Sequence, residues 1–398
     1  MAQFNFQKLK QLFAALEADA SFAIAVSGGG DSMALLHLAL NWQGGPHSIV
    51  ALTVDHALRE GSAVEARKVK RWCADLGVEH HTLKWRHEPI TTGLQAKARA
   101  ARYDLMTRWC TQHGTATLLT AHTAEDQAET VAMRSKRTRS ARSLAAIWPE
   151  THVGGIRILR PLLGETRASL RNYLVSQKQA WLEDPSNANE KFERVRVRNS
   201  APALALARQA EAAQRTVMRA EAKAQSWCRK HLIIAPYGMM RFSPVAFRKL
   251  KGGVADAVLL RIIDLAGGTA AEAARRQALI SWLQAPHEGS TQPRRTLGGA
   301  LFAKRKREVI AAREPARIAA VPMKLTAGKP MIWDGRFEVC GPRGSTVASA
   351  SIHNALKSDD EIPALVRAGW PIIMSGNRIL ATPLGSFHNS AKITFIKK

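Results

Sequence analysis

The stretch FAIAVSGGGDSMALLHLAL, residues 22–40, constrains the fold of this chain more than any other. Its first five residues, Phe22 to Val26, are apolar without alternation, as in a strand buried on both faces of a parallel sheet. Three glycines follow, then Asp31, Ser32 and an apolar pattern with helical spacing. A strand, a glycine turn and a helix start aim several backbone N–H groups and the positive end of the helix at one small volume. Such a volume holds phosphate. The stretch has neither the Gly-Lys-[Ser/Thr] ending of a Walker loop nor the GxGxxG spacing of a dinucleotide fingerprint. Its phosphate chemistry must therefore work without a lysine.

The same alternation continues downstream. Strand-like runs recur at 22–26, 48–56, 79–85, 115–122 and 155–163, and segments 31–42, 62–76 and 95–112 carry the helical period. This predicts an α/β class, with a Rossmann-like parallel sheet covered on both faces and its ligand beyond the C-terminal strand ends. Ser27–Ser32, Asp55, His56 and His122–Glu129 all fall at those ends. From about residue 199 an alanine-rich long helix begins, followed by helices at 254–266 and 271–284, a basic hairpin at 294–313 and a strand-rich tail. Three domains are expected: 1–198 as the catalytic domain, 199–316 as a mainly helical domain carrying the hairpin, and 317–398 as a small α+β domain.

Charge divides the chain in the same way. Residues 1–133 carry 13 Lys+Arg against 13 Asp+Glu, so the remainder holds the whole net charge of +26. A neutral first part and a strongly basic remainder predict catalysis in one and a bound polyanion, a nucleic acid, on the other. Cys73, Cys110, Cys228 and Cys340 are far apart and form no CxxC pair, zinc spacing or secreted disulfide framework. Reduced thiols and a cytoplasmic location are expected. No apolar run reaches the roughly 18 residues of a membrane span. Phe6, Leu9, Leu12, Phe13 and Leu16 have amphipathic helical spacing, unlike a secretory leader.

The pattern SGGxDS after a strand resembles the pyrophosphate loop of the N-type ATP pyrophosphatases, the PP-loop superfamily. In order, VDHALREGSAVEA (54–66), ARAARYDLM (98–106), TAHTAEDQAET (120–130), RPLL (160–163) and WLEDPSN (181–187) are similar to the tRNA(Ile)-lysidine synthetase family. The resemblance is dense over roughly 20–200 and looser around WDGRF at 333–337. It implies cleavage of ATP between α and β, adenylation of the wobble cytidine of tRNA(Ile) with a CAU anticodon, and displacement of AMP by free L-lysine. Backbone amides then need only hold a departing pyrophosphate, which fits the absent lysine.

The resemblance also implies roles. Ser27, Gly28, Gly29, Gly30, Asp31 and Ser32 would hold the phosphates, and Asp55, His56 and His122 the rest of the nucleotide. Asp31 and Asp126 would hold Mg2+, a hard cation that takes oxygen ligands. Asp126 and Glu129 would handle lysine, and Arg102 the reacting phosphate or cytidine. Asp126 and Glu129 lie three apart, on one face of a helix start. The candidate tRNA contacts are Arg137, Arg139, Arg194, Arg196, Arg198, Lys304, Arg305, Lys306 and Arg307. The sequence leaves the oligomeric state open, a homodimer being one option.

Six positions, in three places, depart from the family pattern. Ala57 stands where a glycine is usual after the histidine, and Glu125 where aspartate is usual. In SKRTRSARSLAAI, Thr138, Ser140 and Ser143 take glycine places and Arg142 an acidic one. That loop is the main support for a rival reading, a tRNA-binding protein with impaired catalysis. A base-thiolating relative is a second rival, disfavoured by the missing CxxC; an amidotransferase would need a glutamine-hydrolysing domain with an N-terminal cysteine nucleophile, which this sequence does not show.

If the basic remainder holds tRNA through about six phosphates, affinity falls roughly a thousandfold between 50 and 200 mM salt, because each contact releases condensed counterions. Filter binding across that range checks the expectation; a flat salt response contradicts it.

Overall fold

The computed structural model describes residues 21–396 except 43–47, 58–60, 88–91, 184–202, 288–292, 319–320 and 351–361, together with Gln7, Phe13 and Leu16. The chain forms two compact units, Met1–Val217 and Met218–Lys398. Their boundary falls inside one long helix, Ala203–His231. Gln7 and Phe13 are helical, and the rest of the predicted N-terminal helix lies outside the described residues, apart from a turn at Leu16.

The first unit is built on a six-stranded sheet. Its strands are β1 (Ser21–Ala25), β2 (Ser48–Asp55), β3 (Glu79–Lys84), β4 (Thr117–Leu119), β5 (Glu150–Val153) and β6 (Ile156–Leu159), in the order β3-β2-β1-β4-β6-β5. All pairs are parallel except β5–β6. That edge hairpin turns on Gly154 and Gly155, both at positive φ, as a two-residue hairpin loop demands. Alternation splits the core into two layers. Phe22, Ile24, Ala51 and Leu119 pack with Met33, Leu36 and Leu170 on one side. Ala23, Leu52, Leu118 and Ile158 pack with Met106, Trp109 and Cys110 on the other.

The helices of this unit are α1 (Gly30–Asn41), α2 (Ser62–Asp75), α3 (Leu94–Gln112), α4 (Ala124–Ser135), α5 (Ala141–Leu144) and α6 (Arg167–Ser176). Helix α7 (Ala203–His231) starts here, where Leu206 and Ala210 pack on Val131, Leu144 and Ala146. Chain order reverses between β1 and β4, so the loops after these two strands open a crevice between them. Ligands of open α/β sheets bind at such a switch point. The PP-loop-like turn follows β1, and His122–Asp126 follow β4.

In the second unit, α8 (Pro244–Arg248), α9 (Gly253–Leu265) and α10 (Ala273–Gln284) accompany an antiparallel sheet. Its strands are β7 (Ile233–Ile234), β8 (Met240–Phe242), β9 (Arg294–Leu297), β10 (Ala300–Lys304) and β11 (Val309–Arg313), ordered β7-β8-β11-β10-β9. The predicted basic hairpin is thus three strands of a larger sheet. Two further antiparallel sheets, one of five strands and one of three, form the C-terminal part. No helix among the described residues is long and apolar enough to cross a membrane.

Candidate active site

Ser27 to Ser32 form a loop whose shape is set by its own hydroxyls. Ser32 Oγ accepts from Ser27 N at 3.1 Å and donates to Gly29 O at 2.9 Å. Its proton being spent there, Ser27 Oγ donates to Ser32 Oγ at 3.1 Å. From outside, Leu182 staples the loop, donating its N–H to Gly28 O at 2.8 Å and bridging Gly29 in parallel. Gly28 has φ +86°, and a Cβ there would lie 2.5 Å from Val69 Cγ2 and 2.7 Å from Leu182 Cδ1. Gly30 has no such constraint: its Cβ would meet Trp181 at 3.6 Å, an ordinary contact.

Asp31 occupies the first turn of α1 and points the site toward α4 and α6. Arg167, the first residue of α6, donates from Nε to Asp31 Oδ2 at 3.1 Å and from Nη2 to Asp126 Oδ1 at 2.7 Å. Its backbone N–H is taken by Glu125, at 3.0 and 3.1 Å to the two carboxylate oxygens. Ala124 N adds a bond to Glu165 O at 2.9 Å. The starts of α4 and α6 are therefore tied together, and Glu125 has the reach to cap α6. Asp126 closes a capping box on α4, its Oδ2 accepting from Thr123 N at 2.9 Å and Thr123 Oγ1 at 3.2 Å. Burial lifts the Asp31 carboxyl above the usual carboxylate range; Arg167 opposes the rise and Asp126 adds to it.

These groups line a cleft of about 1190 Å³. Small-molecule pockets are typically about 300–1,000 Å³, so the cleft has room for a nucleotide and a second reactant. Ser27, Gly29, Gly30, Asp31, Ser32, Asp55, His56, Arg102, His122 and Asp126, all named from the sequence, line it together. Gly28 is buried beneath the loop. Glu129 is also buried and is not among the described lining residues, because it sits most of a turn farther along α4 from the cleft.

Two of the residues that line the cleft carry buried polar atoms left unpaired. Arg102 Nε and His56 Nδ1 are buried and have no hydrogen-bond partner among the described residues. Burial, with Arg102 next in importance, lowers the His56 pKa. Burial also pushes His122 down to about 4, against the pull of Asp126, so its imidazole is neutral at pH 7. Asp55 is buried, and its Oδ1 accepts from Ala57 N at 2.9 Å. Ala57 has φ +51°, which explains why glycine suits that place; alanine pays about 1–2 kcal/mol for it.

The 135–143 segment does without glycine by a different backbone route. Ser140 caps α5, accepting from Ser143 N at 3.3 Å, and no residue of the segment has positive φ. Gln127 and Gln214 both hold the next turn, through Ile147 O at 2.8 and 2.9 Å.

Of the expected tRNA contacts, Arg137, Arg139, Lys306 and Arg307 are exposed. Arg305 pairs with Glu308 at 3.1 Å. Arg194, Arg196 and Arg198 lie outside the described residues. Lys304 corrects the expectation. On β10 it shares the inward register of Ala300 and Phe302, is buried, and donates to Trp282 O at 2.5 Å and Ala285 O at 2.7 Å. Its ammonium satisfies the C-terminal carbonyls of α10 and is not available to a phosphate.

Sequence reasoning missed Arg167, Arg99, Arg171 and Glu65, which also line the cleft. One signal marks Arg167: a cation in the first helical turn opposes the helix dipole and calls for local carboxylates. The loop geometry yields a paired test. Gly28→Ala distorts the loop and abolishes ATP binding, whereas Gly30→Ala keeps the fold and loses less; calorimetric titration with ATP reads both, and equal effects contradict the geometry.

Residues 1–204 match the family model of the PP-loop domain, half of this chain. The chain is 34% identical to a tRNA(Ile)-lysidine synthase of Ruegeria pomeroyi, over 98% of this chain and 92% of that protein. It is 34% identical to one of Mesorhizobium japonicum, over 94% and 87%. It is 35% identical to one of a Bradyrhizobium species, over 80% and 95%. With the phosphate loop, the paired carboxylates and this similarity along nearly the whole chain, the protein belongs to the tRNA(Ile)-lysidine synthase family, PP-loop enzymes of ATP-dependent tRNA modification.

Proposed function

We propose that the chain joins L-lysine to C2 of the wobble cytidine of tRNA(Ile) with a CAU anticodon. The observation that carries this reading is the meeting of Asp31 and Asp126 in front of the lysine-free phosphate loop. The C2 oxygen attacks the α-phosphorus of ATP, and pyrophosphate leaves into the amides of residues 27–32. The ε-amine of lysine then attacks C2, AMP departs with the oxygen, and the amine loses its proton. Arg102, with its unpartnered buried Nε, is assigned to the reacting phosphate or the cytidine. The ammonium of lysine is drawn by the acids of the cleft, Asp126 foremost; Glu129, on the same helix but outside the described lining, contributes its charge only from behind Asp126. His122, neutral at pH 7, adds no charge to this balance.

The donor set fits magnesium. Asp31 and Asp126 come from two elements to one point, and Asp31 Oδ1 makes no hydrogen bond among the described residues, leaving an oxygen for a hard cation. When bound, the ion supplies charge stabilisation to the phosphates. On the second part of the chain, exposed Lys306 and Arg307, with Arg137 and Arg139 on the first, are assigned to tRNA phosphates.

The impaired-catalysis reading has less support, since residues 135–143 form a capped turn without needing glycine torsions. Sulfur transfer has less still: the cysteines are free, and burial pushes Cys73 and Cys110 to about 11, far from a thiolate at pH 7.

Mass spectrometry of nucleosides from tRNA(Ile) incubated with protein, ATP and isotopically labelled lysine tests the proposal. Lysidine is expected with the wild type and is lost in Asp31→Asn, which keeps its fold because Asp31 lies outside the apolar core. Label-free cytidine with the wild type, or full conversion by Asp31→Asn, overturns it.

A further inference from the structure

Arg167 contacts both candidate metal ligands, and these contacts are mutually exclusive with a metal on the same oxygens. Its guanidinium holds Asp31 Oδ2 at 3.1 Å and Asp126 Oδ1 at 2.7 Å. The other oxygen of Asp126 is committed to Thr123. A divalent ion that entered first would have to take Asp126 Oδ1 from Arg167. It would also leave a partly buried guanidinium beside a dication. Breaking a buried pair in this way is costly, because the abandoned charge has no solvent to replace its partner. Triphosphate oxygens remove the difficulty, since a guanidinium binds phosphate with the same bidentate fork as carboxylate.

The position of the residue supports a transferable side chain on a fixed base. The backbone N–H of Arg167 is anchored by both oxygens of Glu125, so α6 keeps its start whatever the side chain does. The side chain lines the cleft beside Asp31, Asp126 and Arg171. Without a cation between them, Asp31 and Asp126, whose oxygens meet on one guanidinium, repel as like charges. The site therefore requires a counter-ion at every stage.

We propose that Arg167 is that counter-ion in the nucleotide-free enzyme: it keeps divalent cations from bridging Asp31 and Asp126 until ATP enters, then turns its guanidinium to the triphosphate and leaves the two carboxylates to the metal. Metal thus arrives with the nucleotide and not before it. Arg167 acts as a positioning residue in the first state and a phosphate ligand in the second. The proposal rests on the ATP pyrophosphatase reading given above.

Manganese, visible by electron paramagnetic resonance, is the probe, titrated into the full chain without nucleotide. The wild type binds it weakly. Arg167→Met binds it at least about tenfold more tightly, within the usual range for coupled sites. Adding Asp31→Asn to that variant removes the gain. Should Arg167→Met not fold, Arg167→Gln, neutral and still a hydrogen-bond donor, takes its place with the same outcomes. Binding no tighter than the wild type in the folded variant, or a gain that survives Asp31→Asn, overturns the proposal. Lysidine formation by the wild type is read separately, so the assigned activity and the gating by Arg167 fail independently.

Discussion

Two carboxylates that repel each other, Asp31 at the start of α1 and Asp126 at the start of α4, are held together by the fork of one guanidinium, Arg167. The remaining site geometry follows from that contact. Arg167 opens α6, so the fork brings three helix starts to one place, and Glu125 and Ala124 add two backbone ties between α4 and α6. The side chains are about three-quarters buried, so their charges are screened far less than those of a surface pair. The sheet supplies the frame: β1 and β4 are neighbours joined at residues Phe22 to Ile24, and the loops after both converge where chain order reverses.

The phosphate loop is the second rigid part, and it needs no cationic side chain of its own. Ser32 fixes the turn from within and Leu182 from outside, while Gly28 lets the backbone pass between Val69 and Leu182 where a side chain cannot. A preorganised set of amides stabilises charge as it develops on a leaving group, without reorganisation at the moment of reaction. A lysine would add attraction for the whole triphosphate, bound and departing alike. The cleft instead places its arginines, Arg99, Arg102, Arg167 and Arg171, around the loop.

Much of this was legible in the chain because it depends on local pattern. The buried strand 22–26, the glycine turn and the helix over 31–42 follow from apolar runs and glycine chemistry, and the strand-end positions of Asp55, His56 and His122 follow from the α/β alternation. What was not legible depends on separation or register. Arg167 lies 136 residues from Asp31, and nothing local says which carboxylates it meets. Glu129 shares a helix face with Asp126, yet depth along the helix takes it out of the cleft. Lys304 reads as part of a basic run, but the two-residue period of β10 sets it beside Phe302, facing inward. Ala57 and the 135–143 loop show the reverse case, where departures from glycine are absorbed by paying for one torsion or by recapping a turn.

The central claim is that the loop holds a leaving pyrophosphate while the carboxylates and arginines handle the α-phosphate. Phosphorus NMR of the products formed from ATP, tRNA(Ile) and lysine tests it most directly. The account predicts AMP and pyrophosphate in equal amounts. ADP and inorganic phosphate as the primary products would contradict it.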